Sequence, residues 1–208
     1  MPVEPATLGA FALAAAAIVL SPGPDTMLIL RYALTSGRAA GFSAVLGVQL
    51  GLCVHTALAV LGISALIASS PQLFKVMAVV GAGYLAWLGV QGLRDRAVPS
   101  VESEERVSRM RACREAALCN ILNPKVIVLF LALYPNFLTV GRGRMAVQIA
   151  TLSLVLLLLN IIWQVALVLS ARLARQWLAR PFARRAVSRV TGGILLAFAA
   201  AMLWDHLA

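Results

Sequence analysis

The sequence has little charge and few of the residues that build catalytic or metal centres. Charged residues make up 12% of its 208 residues and apolar residues 61%, whereas about a quarter of a soluble domain is charged. The two histidines are far apart, and the three cysteines include no C-x-x-C pair. These absences argue against a disulfide framework, a metal site and a nucleophile–base pair. We therefore expect no cofactor, no metal and no catalytic residue.

Long apolar runs are what the sequence has instead, and several reach the roughly 20 residues that a helix needs to cross a bilayer. We predict six spans, at approximately residues 7–31, 40–68, 72–93, 115–138, 146–171 and 188–206. A protein of five spans, with one run half-buried, is the alternative. No Lys or Arg precedes the first run, and no small-residue cleavage site follows it. This run therefore reads as a retained span rather than a signal peptide.

The net charge of +10 is unevenly divided between the connections. The first, third and fifth connections carry 14 Lys and Arg residues, and the other side carries 3. The positive-inside rule places the former in the cytoplasm and both termini on the outer side of the membrane. Because the arginines lie between apolar runs, we predict the lipid bilayer, and not nucleic acid, as their partner.

A polar connection at residues 94–114 divides this single transmembrane domain into two three-span halves, residues 1–93 and 115–208. Since three is odd, the halves have opposite orientations. Each half places proline inside its first apolar run, as SPGPD at 21–25 and as NILNPK at 120–125. The predicted fold is therefore an all-α polytopic membrane protein of six transmembrane helices. It forms a 3+3 inverted repeat with interrupted first and fourth helices.

The prolines predict local unwinding. Pro22 and Pro24 lack an N–H group and flank Gly23, so carbonyls of the preceding turn lose their helical donors. Such groups cannot face lipid and must be satisfied by protein or line a wet cavity. A simple kink packed by neighbouring helices is the alternative, and for Pro124 considered alone it is the favoured interpretation.

Two charges lie inside the predicted spans. A charge at mid-membrane costs about 2.5–3.5 kcal/mol, so such residues pair or line a pathway. Asp25 is a candidate proton site or partner of a substrate ammonium, and Lys125 is a candidate partner of Asp25 or of a substrate carboxylate. A structural ion pair is the alternative, and Lys125 lies near enough to a span end to snorkel. Other polar residues in the spans are candidate substrate contacts, although hydrogen bonding between helices is the favoured interpretation of each: Gln49, His55, Asn120, Asn123, Asn160 and Gln164.

Four segments together resemble the LysE/RhtB family of amino-acid exporters: SPGPD, GFSAVLGVQLGLCVH at 41–55, GAGYLAWLGVQGLR at 81–94 and NILNPKVIVLFLALYPNFL at 120–138. The resemblance covers most of the chain. It implies a bacterial inner-membrane protein that exports amino acids by proton antiport, and both termini would then lie in the periplasm. In the family, the aspartate position of the first motif is often asparagine.

We therefore predict a secondary exporter of amino acids or close analogues, with the proton as coupling ion. The predicted translocation residues are Pro22, Gly23, Pro24, Asp25, Gln49, Asn120, Asn123, Pro124 and Lys125. The alternatives are a non-transporting membrane scaffold or assembly factor, and a transporter of another small solute or a metal ion. The sequence leaves open which amino acid is carried and whether the protein forms a homo-oligomer.

Overall fold

A computed structural model describes residues 2–69, 106–139 and 143–178, with Gly141 and scattered positions within 76–94 and 180–204. This part of the chain consists of helices and short connections and contains no strand. The predicted third and sixth spans lie largely outside the described residues. The fold is therefore built here from the first, second, fourth and fifth apolar runs.

The first apolar run forms two helices. Helix α1 spans Pro5–Leu20 and helix α2 spans Pro24–Thr35, with a bend of 55° between them. Pro22 and Pro24 offer no N–H to the carbonyls of Ile18 and Leu20, so α1 cannot continue. Gly23 precedes α2 in an extended conformation, and Pro24 fits the first helical turn, where an N–H is dispensable.

The second run is a single long helix. Gly37, with φ at +88°, turns the chain out of α2, and helix α3 then spans Arg38–Ser69. Its residues Arg38–Gly62 are long and apolar enough to cross a membrane. Its start and end lie within two residues of the predicted second span.

The fourth run is interrupted like the first. Helix α4 spans Arg109–Ile121, and helix α5 spans Pro124–Val128. The chain continues as a π-helical turn at Leu129–Leu133 and a 3₁₀ turn at Tyr134–Phe137. The bend between Arg109–Ile121 and Lys125–Phe137 is 56°.

Helix α4 begins six residues before the predicted span, because Ser108 caps it. The Ser108 hydroxyl accepts a hydrogen bond from the backbone N–H of Arg111 at 3.2 Å. Such a cap satisfies one of the free N–H groups of the first turn. The charged first turns of α4 are thus helical, although the sequence places them in the polar connection.

The fifth run forms helix α6 at Met145–Leu169, followed by the short helix α7 at Ala171–Leu178. Gly141 and Gly143 precede α6 with φ of +87° and +76°. By length and composition, α3 and α6 are membrane-spanning helices, and each bent pair is a further candidate span. The described residues thus supply between two and four spans.

Helix α3 packs against α2, α4 and α6, while α1 packs against α6. The approach of α3 to α4 depends on two glycines. A Cβ on Gly47 would overlap the backbone carbonyl of Cys113, and a Cβ on Gly51 would lie 2.5 Å from Oδ1 of Asn120. The Gly47–Gly51 pair therefore serves close helix packing, the default role of the G-x-x-x-G pattern.

An aromatic cluster supports the irregular segment that follows α5. Phe11 of α1 contacts Tyr134 and Phe137 edge to face, each with ring centroids 5.4 Å apart. Phe130 stacks on Tyr134 at 4.5 Å and on His55 of α3 at 5.4 Å. Aromatic contacts of this kind stabilise a fold by more than the burial of their surface alone. The segment is therefore held by α1 on one side and by α3 on the other.

Candidate functional site

A small cavity lies between the two helix breaks. Its volume is about 40 Å³, which is enough for a few water molecules. Both breaks and helix α6 contribute polar groups to its wall, and apolar side chains supply the rest. The polar lining consists of Ser21, Asp25, Thr26, Asn120, Asn123, Lys125, Asn160, Trp163 and Gln164.

The first break is bonded to the second half by Lys125. The Nζ atom of Lys125 donates a hydrogen bond of 2.8 Å to the backbone carbonyl of Ser21. Ser21 is the C-cap residue that follows the last residue of α1, and its backbone is extended. A side chain of the second half thus satisfies a carbonyl of the interrupted first span.

Asp25 lies in the first turn of α2, where the helix dipole favours a negative charge. Its Oδ2 atom accepts a hydrogen bond of 2.9 Å from Nδ2 of Asn120. Its Oδ1 atom is buried and accepts no hydrogen bond from an N–H or O–H group of the described residues. The Cys119 thiol lies beside the same carboxylate. Asp25, a residue of the cavity wall, therefore has one oxygen that is bonded by no N–H or O–H donor in the described part of the chain.

Asp25 and Lys125 do not form the direct ion pair that the sequence left open as an alternative. Both side chains line the cavity, but Lys125 donates to Ser21 and Asp25 accepts from Asn120. The two charges still interact through space. The two charged side chains thus line one cavity without a direct hydrogen bond between them.

The second break has its own external donor. Pro124 lacks the N–H that would reach the carbonyl of Asn120 in a continuous helix. That carbonyl instead lies 3.3 Å from Nε2 of the buried His55, and the N–H of Asn123 donates to it at 3.1 Å. Because a carbonyl oxygen only accepts, a hydrogen bond here requires that Nε2 of His55 carries the proton. The Oδ1 atom of Asn123 caps α5 by accepting from the N–H of Lys125 at 3.1 Å.

Helix α6 contributes a chain of amides. Nε2 of Gln164 donates to Oδ1 of Asn160 at 2.6 Å, and Nε2 of Gln49 donates to Oε1 of Gln164 at 3.0 Å. Trp163 lies between these positions, and its buried Nε1 has no hydrogen-bond partner among the described residues. Trp163, a residue of the cavity wall, therefore carries an N–H group that no described residue accepts.

The residues predicted from the sequence fall into two groups. Gly23, Asp25, Asn120, Asn123 and Lys125 line the cavity. The others act indirectly or through the backbone: Gln49 is bonded to the lining residue Gln164, and Pro22, Pro24 and Pro124 form the breaks. Gly23 lies beside the side chain of Lys125: a Cβ added to Gly23 would be in van der Waals contact with Nζ of Lys125, at 3.7 Å.

From the sequence, hydrogen bonding between helices was the favoured role of Asn160 and Gln164, and Trp163 was not predicted; the structure has all three in the cavity wall. Asn160, Trp163 and Gln164 are spaced i, i+3 and i+4, so they share one face of an otherwise apolar helix. That spacing is the signal that points to them. The prolines predict freed backbone carbonyls at the first break, but the sequence does not distinguish the carbonyl of Ser21 from its neighbours.

The geometry is that of an interrupted-helix membrane protein, and comparison with known proteins gives the family. The family described as LysE type translocator matches residues 16–206. The chain belongs to this family. The LysE/RhtB resemblance drawn from the sequence motifs is thereby confirmed, and the all-helical structure with apolar helices agrees with a membrane protein.

Relatives of this LysE type translocator include two named efflux proteins. The homoserine/homoserine lactone efflux protein of Salmonella typhimurium is 26% identical, over 90% of this chain and 91% of its own. The leucine efflux protein of Klebsiella pneumoniae is 31% identical, over 74% and 73%. The uncharacterized membrane protein YrhP of Bacillus subtilis is 31% identical, over 88% and 92%. No solved structure matches the chain.

Proposed function

We propose that this LysE type translocator is a secondary active exporter of amino acids or close analogues across the bacterial inner membrane, and that it binds its substrate between the two helix breaks. The observation that carries the proposal is the cavity at residues 21–25 and 120–125. Acceptors for an ammonium and donors for a carboxylate lie there on opposite halves of the chain.

The substrate's amino group binds at the first break. The carbonyl of Ser21 accepts from a cation already, and Oδ1 of Asp25 is a buried acceptor with no N–H or O–H partner in the described part of the chain. An α-ammonium carries three N–H donors and one positive charge. It therefore matches a carbonyl and a carboxylate that lie in one cavity, and it neutralises Asp25.

The substrate's carboxylate binds at the second break. Lys125 supplies a positive charge there. Asn123 uses its Oδ1 to cap α5, which leaves its amide N–H₂ as a donor. The unpartnered Nε1 of Trp163 is a further donor in the same wall. Charge-assisted hydrogen bonds of this type are about twice as strong as neutral ones.

The substrate's side chain faces the apolar part of the wall, formed by Ile18, Val19, Leu52, Leu129 and Leu156. This lining favours a neutral aliphatic or hydroxylated side chain over a second charge. The names of the leucine and homoserine efflux relatives agree with that preference.

Transport requires movement, because a cavity of about 40 Å³ is too small for an amino acid. Two inverted three-span halves, residues 1–93 and 115–208, would rock about the breaks and open the site to each side in turn. The near-equal bends of 55° and 56° at corresponding positions support this arrangement. Antiport with protons supplies the driving force in the proposal, with Asp25 as the group that exchanges a proton for substrate.

An export screen tests the function. Cells that overproduce the protein are loaded with each amino acid in turn as a dipeptide, and the amino acid released into the medium is measured. Leucine, homoserine or a similar neutral amino acid should leave faster than from cells that produce Asp25→Asn at the same membrane level. If no amino acid leaves faster than from cells without the protein, the exporter proposal fails and a non-transporting scaffold becomes the better account.

A further inference from the structure

We propose that the ammonium of Lys125 occupies, in the empty transporter, the place that the substrate's amino group takes on binding. The two cations would alternate there. This inference rests on the proposed function and assigns Lys125 a second role within the same site. Lys125 would be an internal occupant that withdraws to the substrate carboxylate when the substrate enters.

The position of the lysine is the first support. Nζ of Lys125 lies 2.8 Å from the Ser21 carbonyl, although the residue belongs to the opposite half of the chain. Lysine and an α-amino acid carry the same primary ammonium group, with three donors and one charge. The structure thus already contains an ammonium bound to a carbonyl of the first break.

The size of the cavity is the second support. With Lys125 in this position, about 40 Å³ remains, which accommodates water but no amino acid. Lysine has a long unbranched stem whose end can move without a backbone shift. Withdrawal of Nζ from Ser21 frees the acceptor and enlarges the space at the same time.

The charge of Asp25 is the third support. A buried carboxylate without a counter-charge is costly inside a membrane. Asp25 has two neutral neighbours, the amide of Asn120 and the thiol of Cys119, and its nearby positive charge in the cavity is Lys125. In the empty state Lys125 therefore supplies the positive charge that the substrate supplies in the loaded state.

Binding measurements on purified protein test the inference with a pair of matched probes. Leucine carries both charged groups, and isopentylammonium is the same molecule without the carboxylate. The variant Lys125→Met removes the internal cation and keeps the length of the side chain. Isopentylammonium should then bind about tenfold or more tightly than to the wild type, whereas leucine should bind more weakly because its carboxylate has lost a partner.

Lys125→Arg is the control, because it keeps a cation at the Ser21 carbonyl and should leave the affinity for isopentylammonium near that of the wild type. If Lys125→Met folds poorly, Lys125→Gln replaces it. Glutamine also removes the positive charge, but it keeps an N–H group that can donate to the Ser21 carbonyl. Equal or weaker amine binding in the uncharged variants overturns the inference. Since the amine measurement needs no amino-acid transport, its failure is distinct from failure of the proposed exporter function, which the wild-type export screen decides.

Discussion

At the scale of single residues, each helix break is completed by a side chain from another element. Lys125 bonds the carbonyl of Ser21, and His55 bonds the carbonyl of Asn120. Both carbonyls lie where the helical hydrogen-bond ladder is interrupted. An unsatisfied carbonyl in a buried, apolar setting is costly, so these two side chains let the chain unwind at the places where the cavity forms.

His55→Phe tests this role at the second break. Phenylalanine keeps a ring that can stack on Phe130 but removes the donor to the Asn120 carbonyl. We expect a loss of about 0.5–1.5 kcal/mol in the free energy of unfolding, the net contribution of one hydrogen bond, because the Asn123 N–H still bonds the carbonyl. Thermal unfolding of the detergent-solubilised protein measures it. His55→Gln, which retains an N–H donor, should recover part of the loss, and equal stability of His55→Phe and the wild type would contradict the assignment.

The sequence predicted these residues unevenly. Proline has a local effect, so Pro22, Pro24 and Pro124 mark the two breaks without any knowledge of the fold. Asp25 and Lys125 stand out because charges are rare in apolar runs. Which atom each side chain bonds was not predictable, because the rotation of one helix against another does not follow from its own residues. For this reason the sequence did not predict that Lys125 donates to the backbone carbonyl of Ser21 and not to the carboxylate of Asp25.

At the scale of helices, the packing of α3 on α4 brings the cavity together. Asn120 of α4 reaches Asp25 while its Oδ1 packs against Gly51 of α3. Gln49 on the same helix reaches α6 through Gln164. Helices that are apolar on nearly all faces give no periodic signal of which face is buried, so these pairings became visible only in the folded chain.

Gly47→Ala tests the close approach. The added methyl group would overlap the Cys113 carbonyl, so α3 and α4 must separate. We expect a loss of about 1–3 kcal/mol in stability, as for other overpacked sites, measured by thermal unfolding. Gly62→Ala is the matched control on the same helix, because no atom of the described residues lies within 4 Å of its added Cβ. It should be neutral or stabilising by up to about 1 kcal/mol, and equal destabilisation by both variants would contradict the packing argument.

The first break is tested by Pro22→Ala combined with Pro24→Ala. Alanine restores two N–H donors, so α1 and α2 can join into a continuous helix that displaces the Ser21 carbonyl from the cavity. We expect export to fall about tenfold or more, while the amount of protein inserted in the membrane stays similar. Pro5→Ala, at the start of α1, is the control and should leave export unchanged. Normal export by the double variant would make the break a packing feature only.

At the scale of the whole molecule, Tyr32 and Glu115 join α2 to α4 beyond the cavity. The Tyr32 hydroxyl donates to the Glu115 carboxylate, which also pairs with Arg111 at 2.6 Å. The arginine distribution places this end of the bundle in the cytoplasm in our proposal. In our proposal this contact helps to close the transporter on that side, with which the small cavity agrees.

The orientation is tested at Cys113, on the same helix as Glu115. A variant that retains only Cys113, carrying Cys53→Ser and Cys119→Ala, should resist a membrane-impermeant maleimide in intact cells and react in inverted vesicles. A cysteine introduced as Arg144→Cys, at an exposed position before α6, should show the opposite pattern. Labelling of Cys113 from outside would reverse the proposed topology.

The central claim, that amino acids cross the membrane through the cavity between the two breaks, is tested most directly by transport in liposomes that contain only the purified protein. With an imposed pH gradient, the wild type should move at least one neutral amino acid, such as leucine or homoserine, against its own gradient, and an uncoupler should stop it. Asp25→Asn, which keeps an acceptor for Asn120 but removes the charge from the cavity, should slow this transport about tenfold or more. Absence of transport for every amino acid in either gradient direction, or full transport by Asp25→Asn, would contradict the account.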